Sequence, residues 1–338
     1  MRQNTRLFTL FVSTLFASCA ALNSNKKITG LRIDYDTETA INYGAIFPIE
    51  VFAVYPNGKD RKITGNDELI VDIAGAVYED GKVIVGAYPE SFGENTIRIM
   101  AKRISKSDTV MTERIIPFNY ASDLTILFYG SSGARGADGD DAGYIALFRD
   151  GSSGSSGSDG ANGGSGSQLE LLCWRDEIDS SYKFQVKQLS TEKNYFYRYF
   201  DRGFLVVVNV NGGTGGMGGD GGDGRDGKSG TQTEKKSKDP GSGGNGGNGG
   251  NGGIGGSGGF VRVIIHPNAI EIAEKIVVYN DGGLGGTGGT GGSPGKAGTP
   301  LDGQAVASDG YTGSSGSSGI QGQSGPEIVI KIEEFDIP

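Results

Sequence analysis

The chain has 338 residues, a formal net charge of −9 and 62 glycines, but only 10 prolines. Its length allows two or three domains. The only basic cluster, Lys235-Lys236-Ser237-Lys238, is flanked by acids. The acidic chain is therefore not expected to bind nucleic acid, because phosphate contacts require clustered positive charge. The low proline content excludes ordinary collagen, although much of the glycine falls on every third position.

The first residues of the chain carry the features of an export signal. Arg2 and Arg6 supply a positively charged start, and an apolar run from Leu7 to Phe16 follows. This run is too short to span a bilayer, so it fits the apolar part of a signal peptide better than a membrane helix. Small residues come next and lead directly to Cys19. We therefore predict cleavage close to this cysteine.

The motif Phe16-Ala17-Ser18-Cys19 resembles the lipobox of bacterial lipoproteins, in the relaxed form common in Bacteroidota and spirochaetes. The resemblance implies a signal peptide at residues 1–18, a diacylated Cys19 and a linker over residues 19–27. It also implies a lipid anchor in the outer membrane, with the leaflet left open. A plain secretory signal cleaved near Ala20 is the alternative.

Residues 28–121 alternate between apolar and polar side chains with a period of two, which is typical of half-buried strands. The turns Pro56-Asn57-Gly58-Lys59 and Glu79-Asp80-Gly81-Lys82 favour tight hairpins, since glycine accepts positive φ. The predicted strands are Ile28–Tyr35, Phe47–Tyr55, Leu69–Ile73, Lys82–Val85, Thr96–Ala101 and Val110–Phe118. These turns and strands resemble a bacterial immunoglobulin-like repeat. That resemblance implies a β-sandwich used as a spacer or an adhesive module.

Residues 122–338 are predicted to be a second, β-rich domain that repeats one plan three times. Each repeat has a strand, a glycine-rich arm, a tip, a second arm and a second strand. The predicted strands are Leu124–Tyr129, Leu169–Trp174, Phe204–Val210, Phe260–Ile265, Lys275–Tyr279 and Ile328–Ile332, with two more at Tyr182–Leu189 and Tyr195–Phe200. Tips 1, 2 and 3 are Ala142–Asp150, Thr231–Pro240 and Thr299–Asp309.

Six glycine-rich arms, numbered here in chain order, join these strands. They are Gly130–Asp141, Gly151–Gly166, Gly212–Gly230, Gly241–Gly259, Gly282–Gly298 and Gly310–Gly325. One interpretation is disorder, because Gly/Ser-rich segments form flexible linkers. The alternative is polyglycine II, a threefold extended helix whose backbone groups must bond to neighbouring helices. The nearly matched lengths of paired arms favour the ordered form, since an antiparallel pair needs them.

This plan resembles the polyglycine-sandwich adhesins at the tips of some phage tail fibres. The resemblance implies packed glycine helices with distal loops that bind a receptor. Glycine content then predicts the place of each arm, because backbones approach closely only on a face without Cβ. The Gly-Gly-X stretches of arms 3, 4 and 5 should have the most neighbours. The Gly-X-X arms 1, 2 and 6 should lie at the periphery.

The sequence offers little support for a reaction or a metal. His266 precedes Pro267 without a Ser or Cys nucleophile motif nearby, so a structural turn is predicted. Cys173 is predicted to be a small buried thiol beside Trp174. Acidic groups in arms 1 and 3 suggest calcium, but the calcium-binding β-roll needs a nine-residue repeat and the period here is three. These acids are Asp138, Asp140, Asp141, Asp220, Asp223 and Asp226. No cofactor or metal is therefore predicted.

The tips are the predicted site of function. Tip 1 carries an apolar run, and exposed apolar groups often mark contacts with a partner. A short strand buried against the core is the alternative for this run. Tip 2 is charged and is predicted to be a solvated loop. The candidate partner-binding residues are Tyr144, Ile145, Leu147, Phe148, Lys235, Lys236, Lys238, Leu301 and Asp302.

Together these observations predict an all-β chain with an immunoglobulin-like sandwich and a polyglycine-II bundle. The predicted function is that of a non-enzymatic envelope lipoprotein, an adhesin or a scaffold subunit of an outer-membrane assembly. Expected partners are the membrane, through the anchor, and a protein or glycan, but no nucleic acid. A carbohydrate-active enzyme or a calcium-binding module is the alternative, and a pocket with two facing carboxylates would favour the enzyme.

Overall fold

A computed structural model of the chain describes residues 27–64, 69–93, 95–104, 109–144, 149–234 and 236–338. Over these ranges the protein is all-β, as predicted, with many short strands and a single 3₁₀ helix. None of the helical structure within them is long and apolar enough to cross a membrane. Unit 1 comprises the residues up to Leu124 together with Tyr195–Phe204. Unit 2 comprises Thr125–Asn194 and Leu205–Pro338.

Unit 1 contains three antiparallel sheets of three strands each, in the orders β1-β3-β4, β2-β7-β6 and β5-β8-β9. The strands are β1 (Gly30–Asp34), β2 (Ile46–Pro48), β3 (Glu50–Val54), β4 (Asp60–Lys62), β5 (Leu69–Ala74), β6 (Ala76–Glu79), β7 (Lys82–Val85), β8 (Thr96–Ile104) and β9 (Thr109–Pro117). Alternate side chains enter one core, in which Val51, Ile97 and Ile99 are fully buried. Both predicted hairpin turns are present: φ is +72° at Gly58, and +79° at Gly81.

The segment Tyr195–Phe204 adds aromatic side chains to unit 1. Tyr197 is buried, donates its hydroxyl to the carbonyl oxygen of Ala87 at 2.8 Å, and packs edge-on against Tyr43 with ring centroids 5.3 Å apart. Burial raises the pKa of Tyr43 to about 12. The backbone N–H of Phe196 donates to Pro89 at 2.7 Å. The strand predicted over this segment is confirmed, and every second side chain along it is buried.

The remaining strands belong to unit 2, apart from β13, most of which lies in the Tyr195–Phe204 segment of unit 1. They are β10 (Leu124–Leu127), β11 (Gln168–Arg175), β12 (Tyr182–Gln188), β13 (Lys193–Tyr199), β14 (Val206–Asn209), β15 (Thr231–Thr233), β16 (Lys236–Lys238), β17 (Phe260–Ile265), β18 (Ile276–Tyr279) and β19 (Val329–Ile332). One sheet has the order β10-β14-β18. A larger one contains β12-β11-β17-β19, in which β11, β17 and β19 are parallel. As predicted, Cys173 is fully buried beside Trp174, and burial raises the pKa of its thiol.

Two elements of unit 2 were not predicted from the sequence. A 3₁₀ helix spans Pro267–Lys275, with proline in its first turn, and buries Ala269 and Ile272. His266 caps it by accepting a hydrogen bond from Asn268 at 3.3 Å, so the histidine is structural, as expected. In addition, tip 2 forms the β15–β16 hairpin, where a solvated loop was predicted.

The six arms lie side by side and exchange backbone hydrogen bonds at every third residue. Arms 1, 3 and 5 are parallel and form one row. Within it, the N–H of Gly136 in arm 1 donates to Met217 in arm 3 at 2.8 Å. Arms 2, 4 and 6 form the second row. There Gly157 in arm 2 donates to Asn248 in arm 4 at 2.8 Å. We call the two rows together the arm array.

Antiparallel hydrogen bonds join the two rows of the array. Gly219 in arm 3 donates to Ser158 in arm 2 at 2.9 Å, and Gly250 in arm 4 donates to Gly219 at 2.8 Å. Within the described residues, arms 3 and 4 each bond to four other arms, arms 2 and 5 to three, and arms 1 and 6 to two. The expected central position of Gly-Gly-X arms 3 and 4 is confirmed, as is the peripheral position of arms 1 and 6.

The expectation for arm 2 was wrong, because this Gly-X-X arm has as many neighbours as the Gly-Gly-X arm 5. Its non-glycine residues are small and contribute bonds of their own. The hydroxyl oxygen of Ser155 accepts the N–H of Asp140 at 2.7 Å, and that of Ser158 accepts the N–H of Ala137 at 2.7 Å. Serine side chains thus bond arm 2 to arm 1 in addition to the backbone.

The rows of arms continue the two parallel sets of strands at nearly constant register. Partners in β14 and β18 are 70 residues apart, as Val208 and Val278 show. Asp220 in arm 3 and Thr290 in arm 5 are bonded at the same separation of 70. The strand pairing therefore aligns the arms, and each arm meets its neighbours in the register that its own strand sets.

The array leaves no space for Cβ atoms on its inner faces. A Cβ at Gly219 would lie 1.9 Å from the carbonyl oxygen of Ala137. We expect Gly219→Ala to lower the free energy of unfolding by about 3 kcal/mol or more, because rigid backbone must move. Gly143→Ala is the matched control, since nothing lies within 4 Å of its Cβ position. Chemical denaturation measures both, and wild-type stability in Gly219→Ala would contradict the close packing.

Candidate functional site

The three tips meet at the end of the array remote from the strands, and we call this region the distal surface. Arg149 of tip 1 donates its guanidinium to the carbonyl oxygens of Ser229 at the end of arm 3 and Asp239 of tip 2. Gln304 of tip 3 donates its amide to Thr231 at 3.2 Å and Lys238 at 3.0 Å, both in tip 2. Tip 2 is therefore bonded to both other tips, and the three form one surface.

Gln304 organises the predicted residues of tips 2 and 3. Besides its bonds to tip 2, its side-chain oxygen accepts the N–H of Leu301 at 3.0 Å. Lys236 and Lys238 are exposed on β16, and Leu301 and Asp302 are exposed in tip 3. The structure thus brings these four predicted residues to one surface, although no sequence pattern indicates that the two tips are joined.

Other predicted residues are placed only in part. Tyr144 is 63% exposed at the start of tip 1. The predicted residues outside the described ranges are Cys19, Ile145, Leu147, Phe148 and Lys235.

A pocket of about 310 Å³ opens beside Tyr144 on the distal surface. Two cations lie over the tyrosine ring: the guanidinium carbon of Arg225 is 4.8 Å from the ring centroid, and the Lys228 ammonium is 5.1 Å from it. Such cation–π contacts hold flexible cationic side chains in place. The remaining lining residues are Asp150, Ser152, Asp226 and Gly227. We call this the Tyr144 pocket.

Arg225 and Lys228 were not predicted as site residues, because they belong to an arm rather than a tip. The available signal was a change of pattern inside arm 3. Its Gly-Gly-X triplets give way to Gly-X-X with charged residues after Gly224. A charged side chain in an otherwise glycine-rich arm has to point away from the array, so it reaches the surface.

The two carboxylates of the Tyr144 pocket are fixed by neighbouring arms. Asp150 accepts the N–H of Ser242 at 2.8 Å, and Asp226 accepts the N–H of Lys296 at 2.6 Å. One oxygen of each is used in this way, and the other can accept a hydrogen bond from a ligand. Acceptors held in place in this way suit a binding site.

The acids considered as calcium ligands instead have a structural role. The Asp138 carboxylate accepts the N–H of Asp220 at 2.9 Å, and the Asp220 carboxylate accepts the N–H of Thr290 at 2.7 Å. These bonds form a ladder across arms 1, 3 and 5 that satisfies backbone donors on the outer face. Over the described ranges, no group of acidic, His or Cys side chains is arranged to hold a metal ion.

The second row, formed by arms 2, 4 and 6, has an equivalent ladder built from serine and asparagine. Ser156 in arm 2 accepts the N–H of Asn248 at 3.3 Å, and Asn248 accepts the N–H of Ser314 in arm 6 at 2.9 Å. Several third residues of the Gly-Gly-X triplets therefore bond through their side chains, as Asn245, Asn248 and Asn251 do. A short side chain with an oxygen at this position completes the set of bonds that the two glycines begin.

No protein-family model, no curated protein and no solved structure matches the chain. The distal surface and the features of the sequence are therefore the basis for a function.

Ladder carboxylates make the stability of the array depend on pH. Hydrogen bonds from the N–H and hydroxyl of Thr290 lower the pKa of Asp220 below its ordinary value. Asp220 therefore stabilises the fold above the unfolded-state pKa of about 4, and this contribution is lost as pH falls through the lower folded-state value. We expect Asp220→Asn to show a smaller fall in Tm between neutral and acid pH than the wild type. Asp302→Asn, in tip 3, should follow the wild-type profile; an unchanged profile for Asp220→Asn would contradict the ladder.

The bonds of Gln304 should control the order of tip 2. Each such bond contributes roughly 1 kcal/mol, so Gln304→Ala should accelerate amide hydrogen exchange in Thr231–Thr233 and Lys236–Lys238 by at least about tenfold. Gln323→Ala removes an equal side chain from arm 6 and should leave this exchange unchanged. Mass spectrometry of deuterated peptides measures both variants. Slow exchange retained in Gln304→Ala would show that the hairpin is ordered independently of tip 3.

Proposed function

We propose that the chain is a non-enzymatic envelope lipoprotein that acts as an adhesin or as a scaffold subunit of an outer-membrane assembly. It binds a protein or glycan partner through the tips of its glycine-rich arms. The observation that carries this proposal is the bonding of three tips into one distal surface by Arg149 and Gln304. A stiff support that presents several loops side by side is suited to recognition.

The support is proposed to be a polyglycine-II bundle. Backbone bonds to neighbouring arms recur at every third residue, the period of a threefold extended helix. The bare faces of the glycines also fit this form, since a Cβ at Gly250 would lie 2.0 Å from Ser158. Packing of this kind resists bending, because each arm is fixed along its whole length.

Unit 1 is proposed to be an immunoglobulin-like sandwich that serves as a spacer. Short antiparallel strands with alternating burial around one core support this assignment. The lipoprotein assignment rests on the sequence alone, through the basic start, the apolar run and the small residues before Cys19. Cys19 would carry the lipid, and the membrane would be reached through it.

The proposal assigns no reaction to the chain. His266 caps the 3₁₀ helix and packs against Phe335 with ring centroids 5.3 Å apart, and Cys173 is buried in the sheet. The reactive side chains that a sequence survey first considers therefore have structural surroundings.

The lipid anchor can be tested by membrane fractionation and lipid labelling. The native chain, with a C-terminal tag, should fractionate with outer membranes and incorporate labelled palmitate, whereas Cys19→Ala should do neither. Cys173→Ala is the matched control and should stay in the membrane. Labelled, membrane-bound Cys19→Ala would show that the anchor has been misassigned.

Partner capture from solubilised membranes tests the distal surface. The double variant Lys236→Glu, Lys238→Glu reverses two exposed charges on β16, so captured material should fall by at least about tenfold, or roughly 1.4 kcal/mol. Lys331→Glu places a similar change on β19, outside the tips, and should capture as the wild type does. Equal capture by all three proteins would contradict recognition through the tips.

A further inference from the structure

We infer that the Tyr144 pocket binds an acidic sugar unit, a hexuronic acid ring of a polysaccharide. This inference rests on the proposed function, because it names the ligand class of one part of the distal surface. The charge, the hydrogen-bonding capacity and the size of the pocket all fit such a ring.

The cations of the pocket supply the site for a carboxylate. Arg225 and Lys228 both lie within about 5 Å of the Tyr144 ring centroid, at 4.8 and 5.1 Å. Both positive groups line the same pocket beside this ring. A guanidinium offers paired donors that match the two oxygens of a carboxylate, and an ammonium adds a third donor.

The carboxylates of the pocket select for hydroxyl groups on the same ligand. Asp150 and Asp226 are acceptors only, when ionised, and each already has one oxygen fixed by a backbone N–H. A ligand must therefore bring donors to them as well as an acid group to Arg225. An acidic sugar carries several hydroxyl donors around its carboxylate. An acidic peptide side chain carries a carboxylate without hydroxyl groups, so it matches half of the pocket.

Size and composition agree with a small polar ring. The cavity of about 310 Å³ lies near the lower end of the roughly 300–1,000 Å³ that is usual for ligand pockets. Among the residues that the structure describes, its lining is charged and polar apart from the Tyr144 ring and Gly227. The pocket opens on the distal surface.

Calorimetry on the purified full chain in detergent tests this inference with matched ligands. Trigalacturonic acid should bind, and its fully methyl-esterified form, which keeps the rings and hydroxyl groups, should bind at least about tenfold more weakly. Arg225→Gln should lower the affinity for the acid by about tenfold or more. Arg135→Gln is the matched control, because this arginine pairs with Asp138 and Asp220 on the array and should bind as the wild type does.

Several outcomes would overturn the inference: no binding of the acid, equal binding of acid and ester, or an unchanged affinity in Arg225→Gln. Monomeric galacturonate that binds as tightly as the trimer would reject a polysaccharide and leave a free acidic sugar as the ligand.

The outcome can be separated from the test of the proposed function. If partner capture depends on Lys236 and Lys238 while trigalacturonic acid does not bind, the ligand class is wrong and recognition through the tips stands. If the acid binds through Arg225 while capture does not change in the Lys236 and Lys238 variant, the pocket is a sugar site and recognition through tip 2 fails.

Discussion

Every backbone N–H of an extended glycine segment must find an acceptor outside its own segment, and unit 2 depends on this requirement. In arms 3 and 4 the first glycine of a triplet bonds to the parallel neighbour and the second to the antiparallel one. In the triplet of Asn248, the backbone N–H of the third residue donates to the Ser156 hydroxyl, and its side chain accepts the N–H of Ser314. Such a triplet therefore bonds through all three of its residues. A single arm would leave all of them unmade, which is why the arms are stable only together.

The register of the arms depends on the register of the strands. An isolated glycine segment has no side chains to select its register, and a shift by one triplet would preserve most of its backbone bonds. β11 and β17 bury alternate side chains, and a shift there would expose Leu171 or Val263 to water. Hydrophobic burial in the sheets therefore selects the register, and the arms extend that register over a length that they could not align alone.

Much of this architecture could be predicted from the sequence, because its determinants are periodic. The period of two identified strands, and the period of three with matched lengths identified ordered arms. The features that escaped prediction depend on contacts between distant residues. The bonds of Gln304 to tip 2 and the packing of Tyr197 on Tyr43 leave no local pattern. The charged residues after Gly224 do change the pattern of arm 3, but that change does not show that they meet Tyr144. Likewise, Asp220 resembled a calcium ligand because its partner, the N–H of Thr290, is 70 residues away.

The same geometry explains why the array stops at six arms. In arm 3, Gly216 faces arm 1, where a Cβ would lie 1.9 Å from Ala134. Equivalent residues of arms 1 and 3 are 82 residues apart, so Ala134 stands in arm 1 where Gly216 stands in arm 3. Its side chain fills the space that a further arm beside arm 1 would need. At the other end, Gly246 in arm 4 faces arm 5, and its counterpart 66 residues later in arm 6 is Thr312. A further arm would meet a Cβ at every triplet, because the second glycine is lost in arm 1 and the first in arm 6. Glycine content thus encodes the number of neighbours and, through it, the width of the surface on which the tips are presented.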